Sequence, residues 1–290
     1  MSTPAQLPPL RVVTFNVLPL AYNVVSQWAA KGGHQLALVV TTPGPSSRRT
    51  PSYQGVVSSV APGIDLLVTT RLRKVALPLI RALEPDLIVS FSFPYLIPPE
   101  ICGLARYGAV NLHPTALPAY RGPNPLRVIY DGYPLLGATL HWTEEAFDTG
   151  RILAQQTAPL PSDVTPEAIM SLWPPLIVGA FAEGVARAVA GETGTVQDQS
   201  LASYGGAFTE AEHWLTPQET RQALQRKCTA LNLFGPAAKV RLDDQTYLLA
   251  RVDQVDDQVA AAPGTITAQT DQGFVLQVAD GRVRVQASKL

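Results

Sequence analysis

Asn111 and His113 stand two residues apart at the end of an apolar run in GAVNLHPTALPAYRGPNP (108–125). In a strand, positions two apart share a face, so an amide and an imidazole project together there. Pro114 has no N–H to continue a ladder, which puts the pair at the carboxyl end of the strand, where open α/β sheets form their ligand crevice. An amide donor beside an imidazole can stabilise a developing oxyanion while a proton is moved. A histidine used in this way is commonly oriented by a carboxylate. EEAFDTGRIL (144–153) offers Asp148 in a tight turn with Thr149 and Gly150, and Glu144 and Glu145 compete for the same role. The chain also has His34, His141 and His213. Most histidines are structural or solvated and an Asn at a strand end is commonly a cap or turn residue, so spacing alone leaves the roles open.

The elements that must position these residues follow an α/β alternation. Short apolar runs at 10–17, 34–42, 64–70, 85–93, 108–114, 137–145 and 150–160 read as strands. Helical spacing covers 20–33, 71–83 and 98–108, and also 164–191, where Pro174–Pro175 should break or kink the helix. Residues 43–63, rich in Pro, Gly and Ser and carrying Arg48–Arg49, read as a loop. Periodicity is lost after residue 192. A helix over 216–232 is then predicted, with Thr216 as cap, Pro217 in the first turn and Glu219 three residues past the cap. Closely spaced short strands to the C-terminus suggest a small barrel. The expected fold class is therefore α/β, a mainly parallel sheet flanked by helices, with a smaller β-barrel domain. The expected boundaries are 1–192 for the catalytic domain, 193–215 for a linker and 216–290 for the second domain.

Composition limits the function classes. A net charge of −1 gives no global basic field to recruit nucleic acid. Cys102 and Cys228 are far apart and lack metal-ligand spacing, so neither a disulfide framework nor a metal is expected, and a reducing cytoplasm is the default. The N-terminal residues lack a basic segment followed by an apolar core, and no run approaches the ~20 apolar residues of a membrane span. Neither secretion nor membrane insertion is expected. Nothing in the sequence sets the oligomeric state.

Taken together, NLHPTALPAYRGPNP, GATLHWTEEAFDTGRIL and PDLIVSFSFPYLIP resemble the formyltransferase family that uses 10-formyltetrahydrofolate. The family pattern of Asn-x-His, a Tyr/Trp-Arg-Gly, Gly-x-Thr and Asp-x-Gly appears as Asn111, His113, Tyr120-Arg121-Gly122, Gly137-Ala-Thr139 and Asp148-Thr-Gly150. Similarity is strongest over 85–155, weak before 60, and extends through the linker, the following helix and the C-terminal strands. The resemblance implies a Rossmann-like catalytic domain with an OB-like C-terminal barrel, and a triad of Asn111, His113 and Asp148 that needs no metal. It implies a pterin pocket walled by Tyr95, Leu96 and Ile97, with Trp142, Glu144, Glu145 and Phe147 opposite. It leaves Arg121 either structural or on the acceptor side.

The acceptor is a separate question. The transfer-RNA branch of this family opens its first strand-to-helix turn with Gly-Thr-Pro, where this chain has FNVLPL (15–20). That branch also has a longer basic loop, against the single pair Arg48–Arg49, which reads as a solvated loop. His141 resembles the small-acceptor branches. The expected partners are thus a folate and a small or carrier-linked primary amine, such as an amino sugar or an amino acid of a secondary metabolite. Methionyl-tRNA formyltransferase is the alternative, with formyltetrahydrofolate hydrolase and a non-catalytic folate-binding module behind it.

Overall fold

The computed structural model describes residues 7–43, 53–256 and 261–290. Arg48–Arg49 lie outside the described residues. The chain forms two compact units: Met1–Pro123, Gly137–Gln156 and Leu176–Tyr204 make one, and Asn124–Leu136, Thr157–Pro175 and Gly205–Leu290 the other.

A seven-stranded sheet is built from β1 (Arg11–Asn16), β2 (Gln35–Thr41), β3 (Leu66–Val68), β4 (Leu87–Phe91), β5 (Ala109–His113), β6 (Leu135–Trp142) and β7 (Ile152–Pro159). Its order is β3-β2-β1-β4-β5-β6-β7, parallel from β3 through β5, with β6 antiparallel to β5. The strands are apolar on both faces because helices cover both. On one face Val13, Phe15, Leu38, Val40, Ile88 and Ala109 pack with Ile80, Ile97 and Ile101. These come from α3 (Leu77–Leu83), the loop after β4, and α4 (Pro99–Cys102). On the other, Tyr22 of α1 (Pro19–Gly32) meets Val39 and Val56, the latter in α2 (Tyr53–Ser59). Residues 53–59 are thus helical rather than part of the expected 43–63 loop. Positive φ at Gly33 (68°) ends α1 where the sequence places its closing glycines.

The face lined by Ile88 and Ala109 turns polar toward the carboxyl edge. Along β4 Ile88 gives way to Ser90, and along β5 Ala109 gives way to Asn111 and His113, with Ser90 and Asn111 paired across the strands. The apolar row holds the sheet, and its far end is polar. A short helix, α5 (Arg127–Tyr130), follows the loop after β5.

α6 (Pro166–Val189) runs unbroken through Pro174 and Pro175, contrary to the expected break. Each proline removes one intrahelical N–H donor. Burial of Trp173 and Ile177 on either side of the pair offsets that loss, since tertiary packing contributes most of a helix's stability. α6 is also long and apolar enough, by length and composition, to cross a bilayer, which the sequence reading overlooked. It is a core helix here: Phe181 packs edge-on against Trp28 at 5.2 Å, and a Cβ at Gly184 would strike the Leu140 side chain.

The second unit contains a six-stranded sheet ordered β11-β12-β13-β10-β9-β8. Its strands are β8 (Trp214–Leu215), β9 (Lys239–Leu242), β10 (Gln245–Asp256), β11 (Ile266–Thr270), β12 (Gly273–Val278) and β13 (Gly281–Lys289). It is antiparallel except for the β8–β9 pair, and it forms the core of the OB-like C-terminal domain. α7 (Arg221–Asn232) packs on it through Leu224, Cys228 and Leu231. Its cap is Thr220, whose hydroxyl accepts from the Ala223 N–H at 3.2 Å, and not Thr216. Thr216 instead forms a separate turn, accepting from the Gln218 and Glu219 N–H groups. A Thr220→Ala variant is therefore expected to lose about 1 kcal/mol of stability in urea unfolding, and Thr216→Ala under about 0.5 kcal/mol; equal losses would restore the earlier cap.

Candidate active site

Asn111 and His113 project from the same face of β5, and the antiparallel register brings His141 of β6 directly opposite Asn111. Asp148 reaches all three from the turn after β6. Its Oδ1 accepts from Asn111 Nδ2 at 3.1 Å and lies 3.5 Å from His113 Nδ1 and 3.6 Å from His141 Nε2. Its Oδ2 accepts from the backbone N–H of Gly122 at 2.8 Å. His113, His141 and Asp148 are buried, and Asn111 is half-buried. Buried polar groups have to be matched in this way or they cost stability.

The hydrogen-bond partners assign both imidazole tautomers. His113 Nε2 faces the Tyr120 carbonyl at 2.8 Å, which can only accept, so that nitrogen carries the proton. Nδ1 of neutral His113 is then a lone pair, aimed at the Asp148 carboxylate. His141 Nδ1 donates to the Trp142 carbonyl at 2.8 Å, which leaves Nε2 to accept from Asn111 Nδ2 at 3.1 Å. The two Asn111 amide hydrogens thus go to Asp148 and His141.

Burial lowers the His113 pKa below its ordinary value, against the upward pull of Asp148. Burial raises Asp148, but His113, His141 and the Gly122 N–H outweigh it and hold the carboxyl at about 2. The two shifts make competing demands, since a neutral His113 cannot lend Asp148 a full positive charge and His141, with Nε2 accepting from Asn111, donates it no proton. A neutral imidazole beside an ionised carboxylate satisfies both directions, because Asn111 and Gly122 still donate to the carboxylate. A proton arriving at Nδ1 would complete an ion pair with Asp148. The site is therefore a base whose conjugate acid has a counter-ion already in place.

The turn that presents Asp148 is tight. Asp148 has φ 57°, in the left-handed region that Asp tolerates better than most residues. A Cβ at Gly150 would lie 1.7 Å from the Trp142 carbonyl oxygen, so only glycine fits beneath β6.

A cleft of about 480 Å³ opens in the same unit, lined by Ile97, Pro99, Cys102, Thr143, Glu144, Glu145, Ala146 and Thr149. It includes three of the sequence-predicted pocket residues, Ile97, Glu144 and Glu145. Tyr95, Leu96 and Phe147 are exposed and do not line it. Trp142 does not line it either: strand alternation turns it to the face opposite His141, where its ring lies against Gly108. Glu144 and Glu145 are solvent-exposed, and Asp148 alone of the three acids bonds to the Asn111 amide. Burial pushes the Cys102 thiol up to about 11, which removes it as a nucleophile. Arg121 is engaged within the protein. Its Nε and Nη2 donate to Gln197 Oε1 at 3.1 and 2.7 Å, and its Nη1 to Gln199 Oε1 at 2.9 Å. Among the described residues, no group of His, Cys, Asp and Glu is arranged to hold a metal ion.

The sequence reading missed His141 as a site residue, together with the Tyr120 carbonyl and the Gly122 N–H. His141 was accessible from the strand pattern in GATLHW once β6 is set antiparallel to β5. The two backbone groups carry no side-chain signal.

A buried His–Asp–Asn cluster at the carboxyl edge of a Rossmann-like sheet, in a chain that ends in a small β domain, is an arrangement suited to a group-transfer enzyme. Residues 21–172 match the formyl transferase family and residues 209–290 the formyl transferase C-terminal domain, and the chain belongs to that family. It resembles the methionyl-tRNA formyltransferase of Syntrophus aciditrophicus (strain SB), with 26% identity over 294 residues covering 99% of this chain and 88% of that one. Two solved structures share its fold. HypX from Aquifex aeolicus, in complex with tetrahydrofolic acid, has a TM-score of 0.70 and 18% identity over 98% of this chain. The chain spans about half the length of HypX, 46% of it. The N-formyltransferase from Helicobacter canadensis, in complex with folinic acid and dTDP-3-aminofucose, has a TM-score of 0.68 and 14% identity over 96% of this chain and 100% of that one.

Gly150→Ala is expected to displace the Asp148 turn and lower kcat for formyl transfer by roughly 100-fold. Gly103→Ala, at the C-terminal end of α4 with the nearest atom 3.5 Å from the added Cβ, should leave kcat near wild type.

Proposed function

We propose that this enzyme moves a formyl group from 10-formyltetrahydrofolate to a primary amine, small or carrier-linked, such as an amino sugar or an amino acid of a secondary metabolite. The observation that carries the reading is the Asn111–His113–Asp148 constellation, with His113 Nε2 on the Tyr120 carbonyl and its Nδ1 3.5 Å from the Asp148 carboxylate. In this reading the amine nitrogen bonds to the formyl carbon and the carbonyl becomes an oxyanion. Asn111 exchanges one of its internal hydrogen bonds for one to that oxygen, while the proton lost by the amine goes to His113 Nδ1, beside Asp148. Collapse of the intermediate breaks the bond from the formyl carbon to N10 of the folate, and His113 returns the proton to N10. Atoms and charge balance without a metal.

The cleft between Ile97 and the 143–149 loop is where the pterin would lie, its flat ring between an apolar wall and polar backbone. Exposed Tyr95, Leu96 and Phe147 at its approaches would be covered by the bound folate. Arg121, already occupied by two glutamines, acts on the acceptor side through the loop it holds. The division into a catalytic domain over 1–192, a linker over 193–215 and a C-terminal domain over 216–290 belongs to this proposal and is supported by the two family matches. So does a cytoplasmic location, where folate-dependent transfer to small amines would take place.

The small-amine acceptor is supported by FNVLPL in place of the transfer-RNA branch's Gly-Thr-Pro, and by the amino-sugar complex of the Helicobacter canadensis enzyme, whose fold this chain shares. Methionyl-tRNA formyltransferase is the second reading. It is favoured by the end-to-end match to the Syntrophus enzyme and by the C-terminal family domain.

Incubation with 10-formyltetrahydrofolate and three parallel acceptors separates the readings. Turnover on a nucleotide-linked amino sugar, with none on methionyl-tRNA, supports the first; formyl-methionyl-tRNA rejects it; rapid tetrahydrofolate release without any acceptor indicates hydrolysis. His113→Ala should lower kcat by roughly 10²–10⁴-fold, and near-normal turnover would refute the mechanism. The pH dependence has a definite sign. Because burial lowers His113, the base form persists through neutrality and kcat/KM should fall only below pH 6.5. Asp148→Asn removes the charge that pulls His113 upward, so that limb should move to still lower pH while kcat drops.

A further inference from the structure

Asp148 holds a backbone conformation that costs an L residue energy, of order 1 kcal/mol, and such a conformation persists only where its surroundings over-determine it. The surroundings include a side chain from the segment that the sequence presents as a featureless linker. Gln197 is 4% exposed. Its Nε2 donates to the Asp148 carbonyl at 2.9 Å and to the Gly150 carbonyl at 2.7 Å, the two ends of the Asp148–Thr149–Gly150 turn. Its Oε1 accepts twice from Arg121, so both donors and both lone pairs of the amide are used.

Arg121 is the residue before Gly122, whose N–H donates to Asp148 Oδ2. One buried amide therefore ties together the two loops that aim the carboxylate: the turn that carries it and the loop that donates to it. The same loop is pinned further along the segment, where Ser203 Oγ accepts from the Tyr120 N–H at 2.9 Å and the Ser203 carbonyl from the Arg121 N–H at 2.9 Å. Tyr120 in turn supplies the carbonyl that fixes the His113 tautomer.

We infer that Gln197 is a positioning residue: it fixes the Asp148 turn and the 120–122 loop in register, so that the carboxylate bridges Asn111 and His113. Its effect on rate rests on the formyl-transfer reading; its effect on the geometry does not.

Two variants and two readouts test this. Gln197→Ala removes every bond. Gln197→Glu keeps the volume and the acceptor for Arg121 but replaces the two donors with a carboxylate facing two carbonyls, and it carries the test if the alanine variant does not fold. Both are expected to lower kcat by roughly 10–100-fold through misplacement of the carboxylate, with the KM for 10-formyltetrahydrofolate little changed. Read without substrate, the Gly122 amide proton should exchange with solvent faster in both variants than in wild type, because its acceptor has moved. Wild-type kcat and unchanged Gly122 exchange in Gln197→Glu would overturn the inference, as would a loss of activity matching only the loss of folded protein. If the wild-type enzyme transfers no formyl group to any acceptor, the reaction reading falls, and the Gly122 exchange still decides whether Gln197 positions Asp148.

Discussion

The site depends on a single buried carboxylate. Asp148 accepts from Asn111 through one oxygen and from the Gly122 N–H through the other, and its first oxygen also faces both His113 and His141. An ionised carboxylate at 7% exposure is costly unless it is surrounded by donors and by groups that can become cationic. That requirement shapes much of the neighbourhood. It demands a strand that ends in Asn-x-His, a facing strand that brings a second histidine opposite, a glycine whose N–H is free to donate, and a turn in which only Gly150 fits. Removing the carboxylate would leave one Asn111 amide hydrogen and the Gly122 N–H without their acceptor.

The sheet explains why these groups meet. Along β4 and β5 the face that carries Ile88 and Ala109 turns polar at Ser90, Asn111 and His113, and β6 sets Thr139 and His141 beside it, so the hydrophobic row that holds the strands also fixes where the polar row emerges. β5 lies between a parallel and an antiparallel neighbour, and the antiparallel register sets His141 against Asn111. The cleft lined by Ile97 and the 143–149 loop lies in the same unit as this polar edge.

Much of this was legible in the sequence, for physical reasons. Strand alternation made Asn111 and His113 a pair, and Pro114 placed them at an edge; the structure shows both. Spacing left Asp148 level with Glu144 and Glu145, since three acids within five residues differ in burial and not in composition; the Asp-x-Gly resemblance singled Asp148 out, and it is the one of the three that is buried and bonded to Asn111. Trp142 lies away from the cleft because the two-residue period that puts His141 beside Asn111 puts its neighbour on the other face. Pro174–Pro175 failed as a helix stop because local propensity gave way to burial on either side. Thr216 looked like the cap of α7 because Thr-Pro and Glu fit a capping pattern, but the chain first makes a turn there and the helix begins at Thr220. Gln197 carried no signal at all, since its partners are two backbone carbonyls and an arginine more than seventy residues away.

The central claim is that His113 rests as a neutral imidazole with Nε2 protonated and Nδ1 bare toward Asp148. Nitrogen-15 spectra of histidine-labelled enzyme near neutral pH read this directly. His113 is expected to show a protonated Nε2 and an unprotonated Nδ1. A proton on Nδ1 with Nε2 bare, or a fully protonated ring, would contradict it and remove the base from the proposed reaction.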